Sequence, residues 1–149
     1  MPITLLVRRK EGCDDLPLPR YMSEAAAGMD VCAAVDAEVI LTPGDIRLIP
    51  TGLYVAVPPG YEVQVRPRSG LALKHGLTIV NAPGTIDADY RGEVGIIVGN
   101  IGREPFTVTR GLRIAQLVVA AVAQADVRVV KELPETRRGD GGFGHSGTH

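Results

Sequence analysis

Tryptophan is absent and aromatic residues make up only 4% of the chain, so Val, Ile, Leu and Ala have to fill any core. Branched aliphatic side chains of this kind suit strands better than helices. Cysteine is nearly absent too. Cys13 and Cys32 are too few for a disulfide framework and are not spaced like metal ligands, which leaves two reduced thiols. There is no basic surplus: the formal net charge of −1 gives no broad attraction to nucleic acid or to a membrane surface, and neither is expected as a partner. The arginines must therefore act locally. Long apolar runs are missing as well. The longest, Ile114 to Ala125, is interrupted by Gln116 and Gln124 and falls short of the roughly 20 residues a membrane span needs. At the N-terminus, Met1-Pro2-Ile3-Thr4-Leu5-Leu6-Val7 runs into Arg8-Arg9-Lys10 before a signal-length apolar region develops, so a soluble cytoplasmic protein is expected.

What is present reads as short strands separated by turns. The 149 residues suffice for one domain with one core. Glu62 to Arg66 and Phe106 to Thr109 alternate, while Val31 to Val35, Glu38 to Leu41, Leu53 to Val57, Thr78 to Val80, Glu93 to Val98 and Leu117 to Val122 are more continuously apolar. Pro43-Gly44-Asp45, Pro58-Pro59-Gly60, Pro83-Gly84, Asn100-Ile101-Gly102 and Arg110-Gly111 punctuate them. Only Leu73-Lys74-His75-Gly76 suggests helix, one turn stopped by glycine. The predicted fold is all-β, a jelly-roll-like barrel or sandwich with one short helix. Residues 1–136 form that domain. Residues 137–149, with five glycines between Gly139 and Gly147, form a flexible tail that needs a substrate or a neighbouring chain to settle on.

Three segments carry candidate chemistry. Gly84-Thr85-Ile86-Asp87-Ala88-Asp89-Tyr90-Arg91-Gly92 places a carboxylate and an aromatic ring three positions apart on what reads as a turn between the strands at 78–80 and 93–98. A solvated turn acid is the commoner role for such an aspartate. Pro67-Arg68-Ser69-Gly70 offers a guanidinium, a hydroxyl and an unhindered N–H in succession, suited to phosphate oxygens and followed by a helix start. Arg137-Arg138 to Gly147 is a basic, glycine-rich tail with a single aromatic, Phe143. Base, clamp and lid together point to phosphoanhydride chemistry on a nucleotide. Gln116 interrupts an apolar strand, which is unusual unless its amide finds a partner; an outward-facing strand residue is an equal alternative. Three look-alikes are set aside. The glycine pattern Gly139 to Gly144 has no following helix, the same segment lacks a Walker ending, and Arg138-Gly139-Asp140 comes without an export signal. A His145/His149 metal pair would need a helix that the glycines preclude.

Ala27-Gly28-Met29-Asp30-Val31, Pro67 to Gly76, Gly84 to Asn100, Arg113-Ile114-Ala115-Gln116-Leu117 and Arg138 to Gly147 resemble, in order, the five motifs of the trimeric dUTP diphosphatases. The resemblance implies a β-clip fold and hydrolysis of dUTP to dUMP and pyrophosphate with Mg²⁺, which supplies dUMP and keeps uracil out of DNA. It also implies a homotrimer with shared active sites. It assigns Asp87 to the water that attacks the α-phosphorus. An aspartate is a weak base, so positioning and charge neutralisation must supply most of the acceleration. It gives Tyr90 to selection of deoxyribose, and Asn81 with the backbone at Thr85 and Ile86 to the uracil. Arg68, Ser69, Gly70, Gln116, Arg138 and Ser146 go to phosphate oxygens, and Phe143 covers the base. Asp30 becomes a partner of magnesium-bound water, without a protein cage. His145 stands where many members carry a second serine. Two rival readings are a dCTP deaminase of the same fold, whose catalytic glutamate would fall at Ile97, and a non-catalytic nucleotide-binding oligomer.

Overall fold

Val63 and Val65 alternate with Glu62, Gln64 and Arg66, and this period-two pattern puts the valines into the core of a computed structural model that describes residues 3–148. Eleven strands and one helix follow in order. They are β1 Leu6–Arg9, β2 Arg20–Tyr21, β3 Met29–Cys32, β4 Val39–Leu41, β5 Ile46–Ala56, β6 Tyr61–Arg66, α1 Ser69–His75, β7 Leu77–Ile79, β8 Gly84–Ile86, β9 Glu93–Asn100, β10 Phe106–Val108 and β11 Arg113–Ala121. They build a four-stranded sheet β1-β5-β9-β7, a five-stranded sheet β2-β3-β11-β6-β8 and a two-stranded ladder β10-β4. The two larger sheets both contribute to one aliphatic core, in which Leu41, Ile49, Ile96 and Leu117 are the largest fully buried side chains. No aromatic ring is among them, as the composition requires. The result is an open sandwich: the sheets end in edge strands rather than closing on themselves.

Two local features position the site. The helix is longer than the single turn read from the sequence, running Ser69–His75, and it ends where Gly76 adopts φ 66°, a left-handed cap that donates its N–H to Ala72 O. The second feature corrects the hairpin expectation. β7 and β9 do pair antiparallel, with Ile79 opposite Val98, but Gly84-Thr85-Ile86 between them is no turn. It crosses to the other sheet and pairs with β6, Val65 opposite Gly84 and Val63 opposite Ile86. Alternating burial explains the excursion: Gly84 and Ile86 point inward and Thr85 outward, so the segment behaves as an edge strand.

Among the described residues beyond Ala121 no strand or helix forms, and residues 123–140 are exposed throughout. Val127, Val129 and Leu133 lie open at 88%, 99% and 82% exposure, an apolar arm left uncovered by the described residues of its own chain.

Candidate active site

One cluster is built across three strands in register. Asp30 on β3 lies opposite Gln116 on β11, and Gln116 lies opposite Arg66 on β6. Leaving β6 through Pro67, the chain reaches Arg68, the N-cap residue of α1, whose guanidinium folds back over the cluster. Its Nη1 donates to Arg113 O at 3.1 Å, and its Nη2 sits 3.4 Å from Asp30 Oδ2. Arg113 Nη1 donates to the same Oδ2 at 2.9 Å. A carboxylate only 14% exposed thus carries two guanidinium groups, which fixes both cations beside Gln116. Gln116 itself donates from Nε2 to Pro67 O at 2.9 Å, the partner that makes a polar side chain tolerable in this strand. A Cβ on Gly28 would overlap Gln116 Oε1, so a glycine is needed there for the amide to lie where it does. Ser69 and Gly70 open α1 in exposed positions, with no side-chain cap on the first turn and no acidic residue in it.

A second cluster lies along β8. This strand pairs with β6 on one side only, leaving the main-chain polar groups of its other edge available to a ligand. Asn81 stands at its start, with Nδ2 3.1 Å from the position a Cβ on Gly84 would take. Asp87 and Tyr90 stand just beyond its end. Together with Thr85, Ile86, Glu93, Val94 and Gly95 they line a cleft of about 160 Å³. Tyr90 is held in three ways: its backbone N–H donates to Asp87 O at 3.1 Å, its hydroxyl donates to Glu93 O at 3.1 Å, and its ring lies over Gly92, where a Cβ would overlap it. Arg91 turns aside, Nη1 donating to Ala88 O and Tyr90 O. Asp87 also borders a wider groove of about 820 Å³ together with Glu62, Asp89, Tyr61 and Val122.

Within one chain the Asp87 end of the second cluster stays apart from the first, although Ala82 and Pro83 beside Asn81 share a pocket with Gln116. Asp87 follows Ile86 and so falls level with Glu62, whereas Gln116 faces Arg66 from the opposite side of β6. Four residues along a strand and two strand spacings across separate them by about 16 Å. The tail is separate again. Arg138 folds on itself, Nε donating to Gly141 O at 2.7 Å, and Phe143 is fully exposed. Neither these residues nor Ser146 line the clefts around Asp87 or Gln116. His149 lies outside the described residues. Three contributors were missed from sequence: Gly28, Arg113 and Glu93. Gly28 and Arg113 sit in recognisable motifs, but only strand register reveals what they touch. Both cysteines are free and buried, and burial pushes the Cys32 thiol above its usual range.

An all-β chain with an exposed edge strand that ends at a carboxylate and a ring, and with an arginine-lined cluster on a neighbouring strand, has the parts of a nucleotide-binding protein. The dUTPase family model matches residues 14–147, and the chain belongs to that family. It is 55% identical over 147 residues to the deoxyuridine 5'-triphosphate nucleotidohydrolase of Caldanaerobacter subterraneus subsp. tengcongensis, covering 99% of both proteins. With the protein of the same name from Desulfotalea psychrophila the identity is 64% over 134 residues, covering 90% of this chain and 89% of that one. Among solved structures, the Staphylococcus bacteriophage 80alpha dUTPase with dUPNHPP superposes at a TM-score of 0.87 and 27% identity, covering 97% of this chain and 99% of that one. Among the described residues, no helix is long and apolar enough to cross a membrane, and no group of three or more His, Cys, Asp or Glu side chains could hold a metal.

Proposed function

We propose that this protein hydrolyses dUTP to dUMP and pyrophosphate, and that the site is assembled from more than one chain. The observation that carries the reading is the cleft shared by Asp87 and Tyr90 at the end of an edge strand whose start carries Asn81. Three strand residues span about 10 Å, a length suited to a nucleoside laid along β8 with its base at Asn81 and its sugar at Tyr90. Main-chain groups at Thr85 and Ile86 complete the base contacts. Tyr90 closes the space beside C2′ of the sugar, which excludes a ribose hydroxyl.

Asp87 at the sugar end accepts the proton of the water that attacks the α-phosphorus, opposite the departing pyrophosphate. The charge that builds on phosphorus oxygens needs donors, and these are Arg68, Ser69, the Gly70 N–H and Gln116. Gln116, at about 16 Å, is too far from Asp87 of its own chain, and Arg68 to Gly70 follow the same end of β6, which favours a neighbouring copy as their source. The groove beside Asp87 carries three carboxylates, Glu62, Asp87 and Asp89, against Arg91, and the other cluster carries Arg68 and Arg113 against Asp30, so two copies have complementary net charge for this contact. The exposed apolar arm beyond Ala121 supports the same conclusion, and a homotrimer with three shared sites accommodates it. Arg138, Phe143 and Ser146 then close over the nucleotide from the tail, with Arg138 on the terminal phosphate and Phe143 on the base.

The donor set fits magnesium bound through the triphosphate and water rather than in a protein cage. Both guanidinium contacts of Asp30 fall on Oδ2, so Oδ1 is the oxygen suited to a metal-bound water. When bound, the ion would neutralise phosphate charge and fix the conformation of the chain of phosphates.

The test is to incubate the assembled protein with dUTP, dCTP, dTTP and UTP in the presence of Mg²⁺, following pyrophosphate and ammonia. Pyrophosphate from dUTP alone supports the reading. Ammonia from dCTP, or binding without product, overturns it.

A further inference from the structure

Glu93 borders the cleft of Asp87 and Tyr90, yet its carboxylate is engaged by two elements that carry none of the proposed chemistry. Oε1 accepts from Gly52 N at 3.0 Å, and Oε2 accepts from Lys10 Nζ at 3.1 Å. Gly52 lies where β5 slips register against β9, between Pro50 and Tyr54, and adopts φ 65°. A bulge of this kind takes an N–H out of the ladder, and the Glu93 side chain supplies the missing acceptor. Beside it, Thr51 Oγ1 donates to Val94 O at 2.6 Å in a fully buried position. The bulge of β5 and the first two residues of β9 are thereby fastened together. The backbone of that same Glu93 accepts the hydroxyl of Tyr90. Gly92 presents no side chain to the ring, and the carbonyl of Glu93 accepts the hydroxyl at its outer end.

We propose that Glu93 is a positioning residue: by tying β9 to the β5 bulge and to Lys10, it sets the angle of the Tyr90 ring and so the discrimination between deoxyribose and ribose. The inference rests on the reading of Tyr90 as the sugar gate. Rejection of a single added hydroxyl by shape alone is worth about 10²-fold, so a ring free to tilt should forfeit about tenfold of it.

The experiment measures kcat and KM for dUTP and UTP with the full-length wild type, Glu93→Ala, Glu93→Gln, Tyr90→Ala and the Tyr90→Ala/Glu93→Ala double variant. Glu93→Ala is expected to lower the dUTP/UTP ratio of kcat/KM about tenfold, chiefly by improving UTP. Glu93→Gln, which keeps an acceptor for Gly52 N–H, should restore most of it. The double variant should add nothing to Tyr90→Ala, because both changes act through one ring. A wild-type ratio in Glu93→Ala alongside a lowered ratio in Tyr90→Ala overturns the inference alone. An unchanged ratio in Tyr90→Ala overturns the sugar-gate reading beneath it. Should Glu93→Ala not fold, Glu93→Asp provides the same test, since a side chain one methylene shorter cannot reach both partners; a wild-type ratio there also overturns the proposal.

Discussion

Replacing Gly28 by alanine adds one methyl group at a residue that lines neither the clefts around Asp87 nor the pocket at Gln116, and the structure predicts a large loss of activity from it. The new Cβ would overlap Gln116 Oε1 and press on its Cδ and Cβ, the last two at 3.1 and 3.2 Å. Gln116 cannot yield without cost, because its Nε2 is held by Pro67 O at 2.9 Å and its backbone is anchored by the fully buried Ala115 and Leu117. Relief requires a different rotamer. That forfeits a neutral hydrogen bond worth about 1 kcal/mol and adds off-rotamer strain of about 1 kcal/mol. Folding should therefore survive, with about 2 kcal/mol lost. Activity is far more sensitive, since an amide moved by about 1 Å from a phosphoryl oxygen costs about 10²-fold in rate. Steady-state kinetics with dUTP, set beside a thermal melt and a sizing column, separates the two effects. A folded, assembled Gly28→Ala with wild-type kcat/KM would refute the placing of Gln116 at the phosphates.

Asp87→Asn keeps the shape of the cleft but removes the proposed proton acceptor, so turnover should fall by about 10²–10⁴-fold while dUTP still binds; calorimetric titration and pyrophosphate release check the two halves, and undiminished turnover would remove Asp87 from the mechanism. Asn100 is 1% exposed and its side chain satisfies Leu41 O, Glu104 O and Gly102 N at 2.8, 2.9 and 2.9 Å. Asn100→Ala strands all three, a cost of about 3 kcal/mol that should lower the melting temperature by roughly 6–12 °C; a shift of a degree or two would show the network to be dispensable. Arg110 holds the Asp15 carboxyl below its ordinary 3.8, and hydrogen bonds from Thr42, backbone N–H first, do the same for Asp45. Folded-state values that are depressed give stability that is full above the unfolded value and lost as pH falls through the folded one. Melting temperatures should therefore drop between about pH 5 and pH 2, and the drop should be shallower in Asp15→Asn; a flat profile for the parent protein contradicts the pairing.

The strands were legible because this chain has few ways to build a core. With aromatic residues almost absent, β-branched runs bounded by Pro-Gly and Arg-Gly turns leave a β-sandwich as the consistent packing, and Gly76 marks the helix end by a left-handed φ that other residues resist. What stayed hidden was long-range pairing. Gly84-Thr85-Ile86 looks like part of a turn because glycine follows proline; only the alternation of buried Gly84 and Ile86 against Val65 and Val63 makes it a strand of the other sheet. The difference has consequences for function. A turn would have left Asp87 free to meet Arg68 in its own chain, whereas an edge strand anchored to β6 holds the carboxylate near Glu62 and the arginine past Arg66. The carboxylate and the guanidinium are therefore fixed at opposite ends of one six-residue strand, and no side-chain rotation brings them together. On the proposed reading, charge complementarity between the carboxylate-rich groove and the Asp30–Arg68–Arg113 cluster then favours a second copy as the source of the phosphate donors. On this argument dilution that dissociates the assembly should abolish turnover while leaving the β-sandwich folded, and mixing an Asp87→Asn chain with a Gln116→Ala chain, each inactive alone, should restore part of the activity through sites that draw one intact cluster from each. Failure of such mixed assemblies to regain activity, with subunit exchange demonstrated, would mean that both clusters serve from a single chain.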